Sequence, residues 1–222
     1  MSLTYEAVIF DLDGVICHTD RYHYKAWKAL ADRLGIYFDP EINNRLRGVS
    51  RMESFEIILE NCDRVMTAEE KLAYITEKNN RYKELLKEMS PEDLSEEVKR
   101  TLISLRKEGL KLAIGSSSKN AELILSRIGL GGFFDAVSDG NHISRSKPDP
   151  EVFLKAAESL RIPPEKCLVV EDAKAGLEAA IAAKMDCAAI GDAAESDLGT
   201  YRLGRFGQLI QICISPDGVP RA

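Results

Sequence analysis

Short unbroken apolar runs alternate along this chain with stretches in which apolar residues recur every three or four positions. The runs EAVIFD (6–11), LKLAIGSS (110–117), KCLVVED (166–172) and MDCAAIG (185–191) read as strands buried on both faces, with FFDAVSDG (133–140) as a weaker fifth. Between the later runs the period changes to that of a helix. Ser95 is placed to cap a segment carrying Val98, Leu102 and Leu105 that Gly109 stops, and Leu123, Ile124 and Ile128 form a second segment ending at Gly129. Asp149-Pro150 opens a third, with Phe153, Ala157 and Leu160 on one face. This alternation predicts an α/β protein: a Rossmann-like parallel sheet with helices on both sides.

The first strand departs from the pattern, because the second does not follow until residue 110. The intervening segment has helical signals and no strand. Trp27, Leu30, Ala31 and Leu34 form a stripe at i, i+3, i+4, i+7, and Thr67 with Glu70 makes a capping box before a charged helix reaching about Met89. The chain therefore divides into a core domain (1–16 and 91–222) and an all-helical cap domain (17–90) inserted after the first strand. A cap on two linkers can open and close over the strand ends.

Composition narrows the possible partners. With 45% hydrophobic and 30% charged residues, the 222-residue chain has the make-up of an ordinary globular protein. Thirty basic residues are scattered among thirty-six acidic ones, for a net charge of −6, which argues against nucleic acid. No apolar run approaches the roughly 18 residues that span a bilayer, and the first strand begins too early for a signal peptide, so a cytoplasmic location with no membrane partner is expected. Cys17, Cys62, Cys167, Cys187 and Cys213 are dispersed and odd in number, consistent with reduced, structural thiols.

Chemistry concentrates where strands end. In an open parallel sheet, ligands bind beyond the carboxyl ends of the strands. Asp11 and Asp13 follow the first strand, Ser116, Ser117, Ser118 and Lys119 the second, and Glu171 and Asp172 the run at 166–172; Lys147 precedes the Pro-Asp-Pro helix start. Together they supply carboxylates for a hard divalent cation, a hydroxyl and an ammonium for phosphate, and a carboxylate nucleophile. Each piece has a structural explanation when taken alone. A D-x-D is often a turn, Ser118 can cap the helix that follows it, Lys147 can be a surface lysine, and Glu171-Asp172 can cap a helix starting near Ala173. Their coincidence at successive strand ends favours a shared site, and a bound cation would offset the repulsion between paired carboxylates.

The motifs DLDGV (11–15), GSSSKN (115–120), SKPDP (146–150) and VVEDAKAG (169–176) resemble, in order and spacing, those of the haloacid dehalogenase (HAD) superfamily of phosphoryl-transfer enzymes over about residues 5 to 195. The resemblance implies a helical cap after the first motif. It implies Asp11 as the nucleophile that forms an aspartyl phosphate, and Asp13 as general acid and base. Mg²⁺ would be held by the Asp11 carboxylate, the Asp13 backbone carbonyl and Asp172, with Glu171 in support, while Ser116 and Lys147 bind the transferring phosphoryl group.

Within the superfamily, HTDRYHYKAWKALADRLGI (18–36), NRLRGVSRMESFEIIL (44–59), EKNNRY (77–82) and MSPEDL (89–94) are similar to the β-phosphoglucomutase subfamily. By that resemblance Arg51 and Ser54 would bind the phosphate not being transferred. Arg47 and Gly48 would contact sugar or phosphate, Lys78 and Asn120 would line the closed site, and His23 would couple closure to catalysis. Thr19, Ser118 and Lys119 complete the expected substrate-binding set. Structural alternatives stay open for three of these: Thr19 as a helix N-cap, His23 as a packed residue on the face of Trp27 and Leu30, and Arg47 as a solvated arginine. The expectation is a monomer that interconverts β-glucose 1-phosphate and glucose 6-phosphate. A sugar-phosphate phosphatase is the alternative, and a non-catalytic sugar-phosphate binding protein a third reading that the intact acidic motifs disfavour. The segment after about residue 197 does not match the family's usual ending and is left unassigned.

Overall fold

The computed structural model describes residues 3–47, 49–62 and 64–214. Six parallel strands form one sheet in the order β3-β2-β1-β4-β5-β6. They are β1 (Ala7–Phe10), β2 (Lys111–Gly115), β3 (Ala136–Ser138), β4 (Cys167–Glu171), β5 (Asp186–Ile190) and β6 (Tyr201–Leu203). β1 lies between β2 and β4, with Phe10 opposite Ile114 on one side and Val170 on the other. The chain thus moves outward from β1 in both directions. The crevice at this reversal is where an open α/β sheet receives ligands.

Alternation along the strands sorts their side chains into two layers. Val8, Phe10, Leu112, Ile114, Leu168 and Val170 pack on one face against α5 (Glu96–Lys107), α6 (Ala121–Arg127) and α9 (Leu209–Ile214). Ala7, Ile9, Ala113, Val169 and Cys187 pack on the other against α7 (Glu151–Leu160) and α8 (Lys174–Ala182). A strand buried on both faces carries apolar residues continuously, which explains the unbroken runs. Ser95 caps α5 as expected, its Oγ accepting from Val98 N at 3.2 Å.

Between β1 and β2 come α1 (Asp20–Leu34), α2 (Pro40–Asn44), α3 (Arg51–Leu59) and α4 (Ala68–Leu86), with no strand among the described residues. Their own apolar cluster contains Trp27, Leu30, Ala31, Phe38, Phe55, Ile58 and Ile75. The capping box at Thr67 and Glu70 is formed, as is a second at Ser50 and Glu53. Tyr82, Leu85 and Leu86 at the end of α4 with Met89 just beyond it, and Tyr22 and Ala26 at the start of α1, belong instead to the cluster beneath the sheet. The cap is therefore rooted in the core by two helix ends.

The unassigned C-terminal stretch supplies the last strand and a covering helix. β6 extends the sheet beside β5, with Tyr201 and Leu203 buried and Arg202 exposed, and Leu209, Ile212 and Cys213 of α9 are buried under it. All five cysteines are free thiols. No helix among the described residues is long and apolar enough to cross a membrane.

Candidate active site

A cavity of about 270 Å³ lies between the ends of β1, β2 and β4 and the inner face of the cap. Its two walls have opposite charge. Asp11, Asp13, Glu171 and Asp172 form the core side, and Arg51 and Lys78 stand on the cap side with Lys119 at the end of the β2 loop.

The acidic wall is built from strand ends. Asp11 directly follows β1 and its N–H donates to Val170 O, which fixes it against β4. Glu171 is the last residue of β4, and its Oε2 accepts from the N–H groups of Asp172 and Ala173. Glu171 therefore does not cap α8 (Lys174–Ala182), whose N-cap Ala173 has no side-chain cap bond; it fixes the turn before that helix, and its other oxygen accepts from Lys147 Nζ at 2.8 Å. Two glycines make room for these groups. A Cβ on Gly14, at φ +94°, would fall 2.0 Å from Asp172 Oδ2, and one on Gly176 would fall 1.6 Å from Glu171 Oε1. Asp11, Glu171 and Asp172 each present an oxygen within 4.8 Å of the others, all three residues being buried. An oxygen-only set of this kind suits a hard divalent cation.

Lys147 is not a surface lysine. It is 1% exposed and places Nζ 2.5 Å from Asp11 Oδ1 as well as on Glu171. Burial works against its charge, but the two carboxylates outweigh burial and hold it protonated. Burial also pushes the Asp11 carboxyl up strongly, with Lys147 opposing and Glu171 and Asp172 adding to the effect. Asp172 is pushed up to about 8 by burial and by Glu171, with Arg47 and Lys147 opposing. Four carboxyl groups, Asp11, Asp13, Glu171 and Asp172, share this wall with two cations, Lys147 and Arg47, a crowding that a bound cation relieves.

Asp13 is pushed up to about 6 by burial, against the hydrogen bond that Thr19 Oγ1 donates to its Oδ1. Thr19 is fully buried behind Asp13 and has no surface on the cavity. It begins α1 without a side-chain cap bond, because its hydroxyl is spent on Asp13. Lys147 likewise stands behind the lining rather than in it.

On the basic wall, among the described residues, no ion pair neutralises Arg51 or Lys78, although Asp13 across the cavity favours the Lys78 charge. Lys78, 3% exposed, lies 3.0 Å from His23 Nδ1 and 4.5 Å and 4.7 Å from the ring centres of Trp27 and Tyr82. Burial, and then Arg51, pull the Lys78 ammonium well below its usual range; burial and then Lys78 do the same to His23. Burial also lowers the Arg51 guanidinium. A buried ammonium and a half-buried guanidinium, with no ion pair among the described residues, form a receptor for an anion, and a guanidinium fits a phosphate bidentately.

Other expected residues sit nearby. Ser116, Ser118, Lys119 and Asn120 line the cavity, as do Ser54 and His23. Ser118 does not cap α6: Asn120 is the residue before that helix, and Ser118 Oγ instead accepts from Asn120 N at 3.2 Å, closing a turn that presents the loop. Asn120 Nδ2 donates to Asn79 Oδ1 of α4 at 3.0 Å, and Ser54 Oγ donates to Ser50 O. His23 packs on Tyr82 with ring centres 4.0 Å apart, so its packed character and its place in the cavity coexist. Arg47 is half-buried and paired with Asp20, Asp172 and Asp192. Gly48 lies outside the described residues. Asp20 and Asp192 escaped the sequence reading, although Asp192 follows β5 closely and the rule that singled out the other strand ends would have found it.

Residues 5–184 match the family model for haloacid dehalogenase-like hydrolases. The chain belongs to that family. Within it, the chain is 42% identical over 188 residues to a β-phosphoglucomutase from Bacillus subtilis, covering 84% of this chain and 83% of that one. It is also 33% identical to a phosphorylated carbohydrates phosphatase of Thermotoga maritima, covering 82% of each chain. A crystal structure of β-phosphoglucomutase from Clostridium difficile superposes with a TM-score of 0.87 at 38% identity, covering 92% of this chain and 93% of that one. The parallel sheet with its helical insertion is thus the HAD fold.

Proposed function

We propose that the protein is a β-phosphoglucomutase, interconverting β-D-glucose 1-phosphate and D-glucose 6-phosphate through a phosphorylated Asp11 and β-glucose 1,6-bisphosphate. The observation that carries this reading is the pair Arg51 and Lys78, cap cations with no acid partner among the described residues, in the same cavity as Asp11. A phosphatase acting on a single phosphate needs only the core site. A mutase must hold a second phosphate while the first is transferred, and the cap wall supplies that place. The 42% identity to a β-phosphoglucomutase supports the same choice.

In this reading an Asp11 carboxylate oxygen forms a bond to phosphorus as the bond to the sugar oxygen, or to the donor oxygen, breaks. Asp13 gives its proton to the departing oxygen and takes one from the sugar hydroxyl in the reverse half. A carboxyl held near pKa 6 can do both at neutral pH. Ser116 binds the transferring group while Lys147, behind the lining, holds the Asp11 carboxylate; Arg51 and Ser54 bind the distant phosphate, and Lys119 and Asn120 complete the lining. Mg²⁺, held by Asp11, Asp172 and the Asp13 carbonyl with Glu171 behind, would supply charge neutralisation for the phosphoryl oxygens. Thr19 sets Asp13, and a closed cap keeps water from the aspartyl phosphate.

The test is to incubate the protein with Mg²⁺, β-glucose 1-phosphate and a trace of β-glucose 1,6-bisphosphate, following glucose 6-phosphate and free phosphate together. The mutase reading requires glucose 6-phosphate in large excess over phosphate, abolished by Asp11→Asn. Phosphate release without isomerisation would instead establish a sugar-phosphate phosphatase, the activity named for the Thermotoga maritima relative.

A further inference from the structure

Arg47 belongs to the cap, in the turn after α2, yet its guanidinium reaches two carboxylates of the core. Nη1 lies 2.7 Å from Asp192 Oδ2, and Nη2 lies 3.3 Å from Asp172 Oδ2 while donating to Asp20 Oδ2 at 2.8 Å. The three acids come from separate places: Asp20 opens α1 in the cap, Asp172 follows β4, and Asp192 follows β5. Among the described residues, one other ion pair joins the cap helices to the core, Arg21 to Asp93 at 2.8 Å, and it lies at the start of α1, where the cap is rooted, not across the cavity mouth.

We propose that Arg47 and Asp192 form a clasp that holds the cap shut over the cavity, with Arg47 acting as a positioning residue. Opening the cap would move Asp20 together with Arg47, since both are cap residues, and would separate the guanidinium from Asp172 and Asp192 at once. The Asp192 side chain is 84% exposed, so its pair with Arg47 is weak singly and sensitive to salt. Weakness suits the task. A closure worth many-fold more would trap whatever the cavity holds, whereas a marginal one lets the cap open on each cycle. The proposal extends beyond the choice of substrate, because any ligand of this cavity must pass the clasp.

Trp27 is the only tryptophan in the chain; it is 2% exposed, belongs to the cap's own apolar cluster and forms part of the cap wall of the cavity, which faces the core. Acrylamide quenching of its fluorescence therefore reads cap opening in the intact 222-residue chain without turnover. Asp192→Asn is expected to raise the quencher-accessible fraction about two- to five-fold at low salt. Raising salt from about 0.05 M to about 0.5 M is expected to do the same to the parent and little to the variant. Arg47→Gln should reproduce the effect, and adding Asp192→Asn to it should change nothing further. The radius of gyration from small-angle scattering should increase in parallel. Quenching and radius both unchanged in Asp192→Asn, or full additivity in the double variant, would overturn the clasp. Neither readout depends on catalysis, so its failure and a failure of the mutase reading are told apart.

Discussion

Lys147 places its ammonium 2.5 Å from the Asp11 carboxylate in a position closed to solvent, so the expected nucleophile is electrostatically held before any substrate arrives. The same nitrogen reaches Glu171, and one cation thus spans two strand ends. Lys147→Met is expected to lower turnover by about 10²- to 10³-fold, the cost of removing one well-placed charge from a phosphoryl site. It should also destabilise the metal-free fold by about 3–5 kcal/mol at neutral pH, because buried carboxylates lose their counter-ion. Protonation relieves that loss, so urea unfolding in chelator should show the gap narrowing as pH falls from about 8 to about 5. A gap that stays constant with pH would show that packing, not charge, is what Lys147 contributes.

Thr19 offers a cleaner perturbation, since it touches Asp13 and has no cavity surface. Its donated hydrogen bond favours the ionised carboxylate and opposes the burial that lifts Asp13 to about 6. Thr19→Val is nearly isosteric and removes only the donor. The limb of the pH–rate profile that reports Asp13 should move up by about one unit, with KM almost unchanged. A changed KM with an unmoved limb would instead make Thr19 a determinant of cap shape.

These two residues also mark how far the sequence could be read. Asp11 and Glu171 were legible because strands buried on both faces leave unbroken apolar runs, and polar residues at their ends then stand out; Lys147, well past the end of β3, stood out only through the SKPDP motif. The role of Thr19 was not, because a threonine before a helix carries the signature of an N-cap whether or not its hydroxyl finds a helix N–H. β6 was missed for a different reason: three residues with one exposed arginine are too short to show a period, and its place is set by pairing with β5. Asp192 could have been found as a residue just past β5, but its pairing with Arg47, far away in sequence, and that of Asp20 with the same guanidinium are set only by the fold.

Arg51 is expected to bind the distal phosphate, and Arg51→Ala removes a guanidinium that no carboxylate neutralises among the described residues. Losing a charge-assisted contact of this kind costs about 1.5–3 kcal/mol, so kcat/KM for β-glucose 1-phosphate should fall by about ten- to a hundred-fold. Cleavage of a small monophosphate that lacks a second anionic group, such as p-nitrophenyl phosphate, should be affected far less. Equal losses on both compounds would contradict the assignment of Arg51 to a second phosphate.

His23 gives a prediction on stability and not on rate. Burial and the adjacent Lys78 hold its imidazole well below the usual value of 6.5, so the folded protein keeps it neutral where the unfolded chain takes up a proton. Below about pH 6.5 the unfolded state therefore binds more protons at this position, and stability falls as pH falls, by up to about 1.4 kcal/mol per unit until the folded value is reached. His23→Gln removes the titrating group while keeping a polar side chain beside Lys78 and Tyr82. Any packing cost of the glutamine is the same at every pH and drops out of the comparison of slopes. Between about pH 7 and pH 5, denaturant unfolding should show the parent losing stability more steeply than the variant; parallel curves would mean that His23 is protonated in the folded state, and that the charges of Lys78 and Arg51 do not reach it.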